Sequence, residues 1–307
     1  MSHSAILLIA LAILAHLVAD FVLQTDAIAE AKSAEDGRAW RGLAIHAGIV
    51  AACLLPFVAA YGSRGIGYLL IVSLAHGVID RAKIVLHRRT VAPTTQPTPT
   101  PASTAPAAVP QAGPAGPEPP ITTGAPDAPG DRAWTPLPAT LFLADQVAHF
   151  VVLIVGAGAL LLGQPTLAAW SDTVNGIGAH LLPVVHLGPA ITVLVVILDL
   201  LIINVRGGFF LVGILLAPRG YASGSQPGPE RVGATIGILE RLIVCVLVLA
   251  GQAAAIGFVI AAKTLARFRQ LDDRHFAEYY LVGTLASVTL ALSSSIVAAA
   301  AISAALS

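Results

Sequence analysis

Residues 5–24 read AILLIALAILAHLVADFVLQ, an apolar run broken only by His16, Asp20 and the terminal Gln24. A helix of this length spans about 30 Å, the thickness of a bilayer's hydrocarbon core. The stretch therefore reads as a membrane span, and similar blocks recur along the chain. Hydrophobic residues make up 56% of the 307 residues and charged residues 11%, with a mean hydropathy of +0.81. A soluble domain carries about 25% charged residues. The composition excludes an ordinary soluble enzyme, a nucleic-acid binder with a basic face and a wholly disordered chain. The expected fold class is all-α: a polytopic transmembrane helix bundle of about seven spans.

No Lys or Arg precedes the first apolar run, so a cleaved signal peptide is not expected. The two cysteines, Cys53 and Cys245, both lie inside apolar runs and read as small apolar fillers, not as a disulfide or zinc pair. Formal net charge is zero and names no partner.

Four regions follow from composition. Residues 1–89 hold the first three spans. Residues 90–138 contain 14 of the 21 prolines and read as a disordered, partly polyproline linker. Residues 139–162 are a fourth span, and residues 163–307 form a C-terminal membrane half. Within that half, residues 163–188 are less uniformly apolar and are expected at the membrane surface, with His180 and His186 solvated. Lys and Arg are concentrated after the first span (Lys32, Arg38, Arg41) and after the third (Arg81, Lys83, Arg88, Arg89), and none occurs between Ala133 and Val205. The positive-inside rule puts the first loop and the Pro-rich linker in the cytoplasm and the N-terminus outside.

Ionisable residues inside a membrane are costly, and each is a functional hypothesis. His16, Asp20 and Gln24 are spaced i, i+4, i+8 on one span. His46 opens the second. His76, Asp80 and Lys83 share a face of the third, and Asp145 and His149 form an i, i+4 pair on the fourth. Under the orientation above, all of them lie at one depth near the cytoplasmic face. Imidazole nitrogen and carboxylate oxygen suit a divalent metal: zinc, with manganese or iron as alternatives. The expected ligand pool is His16, Asp20, His46, His76, Asp80, Asp145 and His149. Asp20 and Asp145 are candidates for general base, and Lys83 for stabilising an anionic intermediate. Gln24, Asp199 and Glu240 are further pocket candidates. Glu240 and Arg241 read as a local ion pair, and Lys263 and Glu278 as interfacial residues that snorkel.

Such a pocket points to a metal-dependent hydrolase acting on a lipid, an isoprenoid or another amphiphile that arrives laterally from the bilayer. Three other readings compete. The polar residues are hydrogen-bonding glue between helices; they are a cation- or proton-translocating pathway; or the chain is a scaffold whose Pro-rich linker engages a partner. No internal repeat stands out, and no P-loop, HExxH, GxSxG or CxxC motif is present. Oligomeric state is not readable, and no nucleic-acid partner is expected.

The ordered set AHLVADFVLQTDAIAEAK (residues 15–32), LAIHAG (43–48), AHGVIDRAK (75–83) and FLADQVAHF (142–150) resembles a bacterial membrane family known as domain of unknown function 3307. The segments IGILERLIVCVLVLAGQAAAIGFVIAAKTLARF (236–268) and AEYYLVGTLAS (277–287) are similar to the C-terminal half often found with it. The resemblance implies a multi-pass protein of the bacterial inner membrane and implies no activity. A looser likeness to polytopic metal-hydrolases with His/Asp pockets is one of architecture alone.

Overall fold

The computed structural model describes residues 3–90, 137–181, 187–216 and 230–307. Among them all regular structure is helical. The first half comprises α1 (His3–Leu17), extended by a π-helical stretch (Val18–Leu23), then α2 (Asp26–Lys32), α3 (Arg38–Tyr61), α4 (Ser63–Thr90) and α5 (Leu137–Leu160). The second half comprises α6 (Ala168–Leu181), α7 (Leu187–Ile202), a second π-helical stretch (Ile203–Gly207), α8 (Gly208–Leu216), α9 (Glu230–Leu249), α10 (Ile256–Ala266) and α11 (Arg274–Leu306).

Among the described residues five helices are long and apolar enough to cross a membrane: His3–Leu23, Arg38–Tyr61, Leu137–Leu160, Gly188–Leu216 and Phe276–Leu306. The sequence reading of about seven added α4 and a span over residues 237–262, which the structure instead divides between α9 and α10. Helix α4 has the length, at 28 residues, but its most apolar stretch holds Asp80, Arg81 and Lys83. Large side chains such as Leu55, Leu74, Val78, Val155, Val246 and Phe258 are more than half exposed, an arrangement that hydrocarbon solvates and water does not. Most of the Pro-rich stretch at 90–138 lies outside the described residues, as does His186. His180 falls within α6.

The interior has two apolar clusters, and α1 serves both. Leu8 and Ala12 pack with Val50, Leu54, Tyr68, Val72 and Leu153, while Ala10 packs with Val196, Leu200, Val244, Ala291 and Ala298. Helices α1 and α7 run side by side in the same direction. His3 Nε2 lies 2.9 Å from Thr192 Oγ1 at one end, and the Arg206 Nε–H donates to the Phe21 carbonyl at 3.0 Å at the other. Both therefore carry their π-helical turns at the same depth.

A tight corner sets the register of α3 against α4. At Gly65 a Cβ would fall 2.1 Å from the Phe57 carbonyl oxygen. Backbone cannot give way as a flexible side chain can, so Gly65→Ala is expected to cost about 3 kcal/mol, the upper end of the overpacking range. Thermal unfolding in detergent would measure it, and an unchanged midpoint would refute the close approach.

Candidate metal centre

Regular helical geometry assembles the site. On α1 and its π-helical extension, His16 and Asp20 point inward together, with His16 Nδ1 3.8 Å from Asp20 Oδ1. His46 comes from α3, His76 and Asp80 from α4, and Asp145 and His149 from α5. All but Asp20 are buried outright, and the Asp20 side chain is only 10% exposed. The seven residues proposed as ligands thus converge in one volume.

At its centre are Asp20 Oδ1, His46 Nε2, His76 Nε2 and Asp80 Oδ2. The two imidazole nitrogens are 2.9 Å apart. Each lies 3.3 Å from the Asp20 oxygen, and they lie 3.6 and 3.8 Å from the Asp80 oxygen. Four donors held at about 2.0–2.1 Å in a tetrahedron stand about 3.3–3.4 Å from one another. The observed separations scatter around that value. Three groups, His16–Asp20–His76, His46–His76–Asp80 and Asp80–Asp145–His149, have donor atoms within 4.8 Å of one another. His76 and Asp80 are each shared by two groups.

The surrounding contacts orient these donors. His149 Nδ1 lies 2.8 Å from the Asp145 carbonyl oxygen; with the proton on Nδ1, that bond leaves Nε2 as a bare lone pair. Nε2 is buried and has no hydrogen-bond partner, and neither does Asp145 Oδ1, while Asp20 Oδ1 faces the His46 and His76 nitrogens at 3.3 Å. A backbone carbonyl holding one imidazole nitrogen while the other faces inward is the usual support of a metal-binding histidine. The rings stack closely, His76 to His149 at 4.1 Å and His16 to His149 at 4.9 Å between centroids.

Three carboxylates face two ammonium groups. Lys83 Nζ donates to Asp145 Oδ2 at 2.8 Å, and Lys32 Nζ donates to Asp80 Oδ2 at 2.7 Å. Asp20 has no lysine. With neutral imidazoles, one negative charge is uncompensated in a buried volume, a condition that a bound cation relieves.

Lys32 and Gln146 are the residues that sequence reasoning missed. Lys32 sits at the end of α2, buried, and also donates to Gln24 Oε1 at 2.6 Å. Gln24 thus acts by holding a lysine. Gln146 bridges His16 Nε2, at 3.4 Å, and Asp145 Oδ2, at 3.1 Å. Both lie inside the quoted motifs, Lys32 as the last letter of the first and Gln146 beside Asp145 in the fourth, which was the available signal.

Asp199 and Glu240 stand apart from this cluster. Asp199, on α7, faces an apolar cavity. Glu240 pairs with Lys263 at 2.5 Å, not with Arg241, and the pair ties α10 to α9. The Arg241 Nε–H donates to the Asn204 carbonyl and its Nη1 to Ser287 Oγ. Glu278 is at the surface, paired with Arg274. Cys53 and Cys245 are free thiols, as expected.

Residues 7–102 match the family described as Protein of unknown function (DUF3307). That segment covers His16, Asp20, Lys32, His46, His76, Asp80 and Lys83 of the centre. No curated protein and no solved structure matches the chain.

Proposed function

We propose that this chain, whose residues 7–102 match that family of unknown function, is a metal-dependent hydrolase of the bacterial inner membrane whose pocket opens near the cytoplasmic leaflet. The carrying observation is the convergence of four histidines and three aspartates from four helices, with donor atoms grouped closely enough to hold a metal and with His149 Nε2 and Asp145 Oδ1 unpartnered. Zinc suits the mixed nitrogen and oxygen donors, and manganese or iron would also fit. In this reading α4 and α9 also cross and α10 returns the chain between α9 and α11, since α11 runs against α7–α8 with Ser294 at Asn204 and Gly283 at Leu216; the N-terminus is outside and the Pro-rich linker in the cytoplasm. The basic rim supports that side: Arg88 donates to the Ser33 and Ala34 carbonyls, and Arg81 lies 5.2 Å over the Trp40 ring.

The substrate class is an ester-bearing amphiphile, lipid or isoprenoid. A divalent ion supplies Lewis acidity at the reacting ester. Water adds its oxygen to the phosphorus or carbonyl carbon and loses a proton to Asp145 Oδ1, a carboxylate oxygen outside the central set of four donors. The ester C–O or P–O bond breaks, and the departing oxygen takes a proton. Lys83, whose side chain is about a third exposed, is placed to stabilise the anionic intermediate. The translocation reading is less well supported. Outward from the cluster the first half is filled largely by Leu8, Ala12, Val50, Leu54, Val72 and Leu153, with the Tyr68 hydroxyl tied to the Leu153 carbonyl.

The test is metal analysis of detergent-purified protein, followed by a screen against phospholipid and prenyl-phosphate esters. About one tightly held divalent ion per chain is expected. Lys83→Met should keep that ion and lose about 100-fold in turnover. A wild type that holds no metal after supplementation would sink the reading.

A further inference from the structure

Between the two halves lies a cavity of about 770 Å³. Its wall runs from Ile6 to Phe21 along the first span, about 22 Å at helical rise. It is closed on the other side by α5, α7, α8 and α11, and its lining is apolar except for Gln146, Asp199, Ser293 and Ser294. Two of its rim residues, Val147 and Val297, are well over half exposed, so it opens toward the hydrocarbon of the bilayer.

Two features give this cavity a direction. Gln146 belongs both to its wall and to the metal centre, where it touches His16 and Asp145. The cavity wall therefore touches the His/Asp cluster at the level of His16. Asp199 is 93% buried by its 7% exposure, and its Oδ1 has no hydrogen-bond partner. A buried carboxylate oxygen in an apolar wall calls for a donor, and the surrounding side chains offer none to it. Water is poorly held in so apolar a space.

We infer that this cavity binds the single long hydrocarbon chain of a membrane amphiphile, whose own hydroxyl or amide N–H donates to Asp199 and whose head group reaches the metal centre past Gln146. The volume is that of a ligand site, and its elongation along the span fits an extended chain. This assignment rests on the hydrolase reading for the direction of the head group, and the binding itself can be tested separately.

The experiment is photolabelling of the detergent-purified full chain with a diazirine-bearing hexadecanol, with adducts mapped by peptide mass spectrometry and metal content measured on the same samples. Label is expected on α5 and α11 at the cavity wall. Unlabelled hexadecanol should compete about tenfold better than its methyl ether, which lacks the donor. Asp199→Leu should abolish that difference. Ala300 is exposed and lines the cavity, so Ala300→Trp fills space without disturbing packing; it should cut labelling about fivefold with metal unchanged. Label spread evenly over exposed positions such as Leu74 and Val78 and unaffected by Ala300→Trp would overturn the inference. Cross-links between two copies at Val147 and Val297 would also overturn it, by assigning the groove to a second chain. Specific labelling of a protein that holds no metal would retain the cavity and remove the hydrolase.

Discussion

His76→Ala protein is expected to hold about a tenth or less of the metal bound by the wild type, since even supporting residues cost 10- to 100-fold in affinity. His76 is the position on which the site depends most. Its Nε2 lies within 3.8 Å of Asp20, His46 and Asp80, and its ring packs against His16 and His149. Removing it takes a donor from two of the three ligand groups at once. His87→Ala is the control, because His87 is exposed at the end of the same helix. Metal per chain is read by mass spectrometry after extensive dialysis, on fractions eluting as the wild type does. Equal metal in both variants would mean that the cluster is a hydrogen-bonded network between helices and nothing more.

Lys32→Met should be the most destabilising single change in the first half. The Lys32–Asp80 pair is buried on both sides, with side chains 9% and 6% exposed. Removing one partner of a buried pair costs about 3–5 kcal/mol because a charge is left uncompensated. The thermal midpoint, measured with chelator present so that metal does not contribute, should fall by at least about 6 °C. Lys32→Met combined with Asp80→Asn should recover much of the loss, since the orphaned charge is then gone. A single variant as stable as wild type would show that Lys32 reaches water.

The convergence of the seven His and Asp residues was legible because helical spacing is strict and the background is apolar. A His and an Asp four residues apart must share a face, and four such helices at one depth left few arrangements. Lys32 was not legible for the opposite reason. A lysine just past a span ordinarily faces head groups, and this one is buried only because α2 folds back against α3. Gly42 makes that possible: a Cβ there would lie 2.7 Å from the Lys32 backbone nitrogen. The second half gave less away. Glu240 finds its partner 23 residues on and Arg241 finds carbonyl and hydroxyl oxygens on two other helices, pairings set by tertiary register and not by local pattern. The count of spans was blurred at α4, where the residues that make the site are the same ones that lower its apolarity.

The π-helical turn at Val18–Leu23 has a bearing on which changes of length the first span tolerates. Such a turn closes i→i+5 in place of i→i+4, so it houses one residue more than an ordinary turn. Asp20 lies within it. Deleting a single residue between His16 and Asp20 would let the helix close normally and would rotate Asp20 by about 100° relative to His16. Apolar substitutions along the same stretch leave that angle alone. The first span should therefore accept many changes of letter and almost no change of length, and its counterpart at Ile203–Gly207, anchored to Phe21 through Arg206, should be under the same constraint.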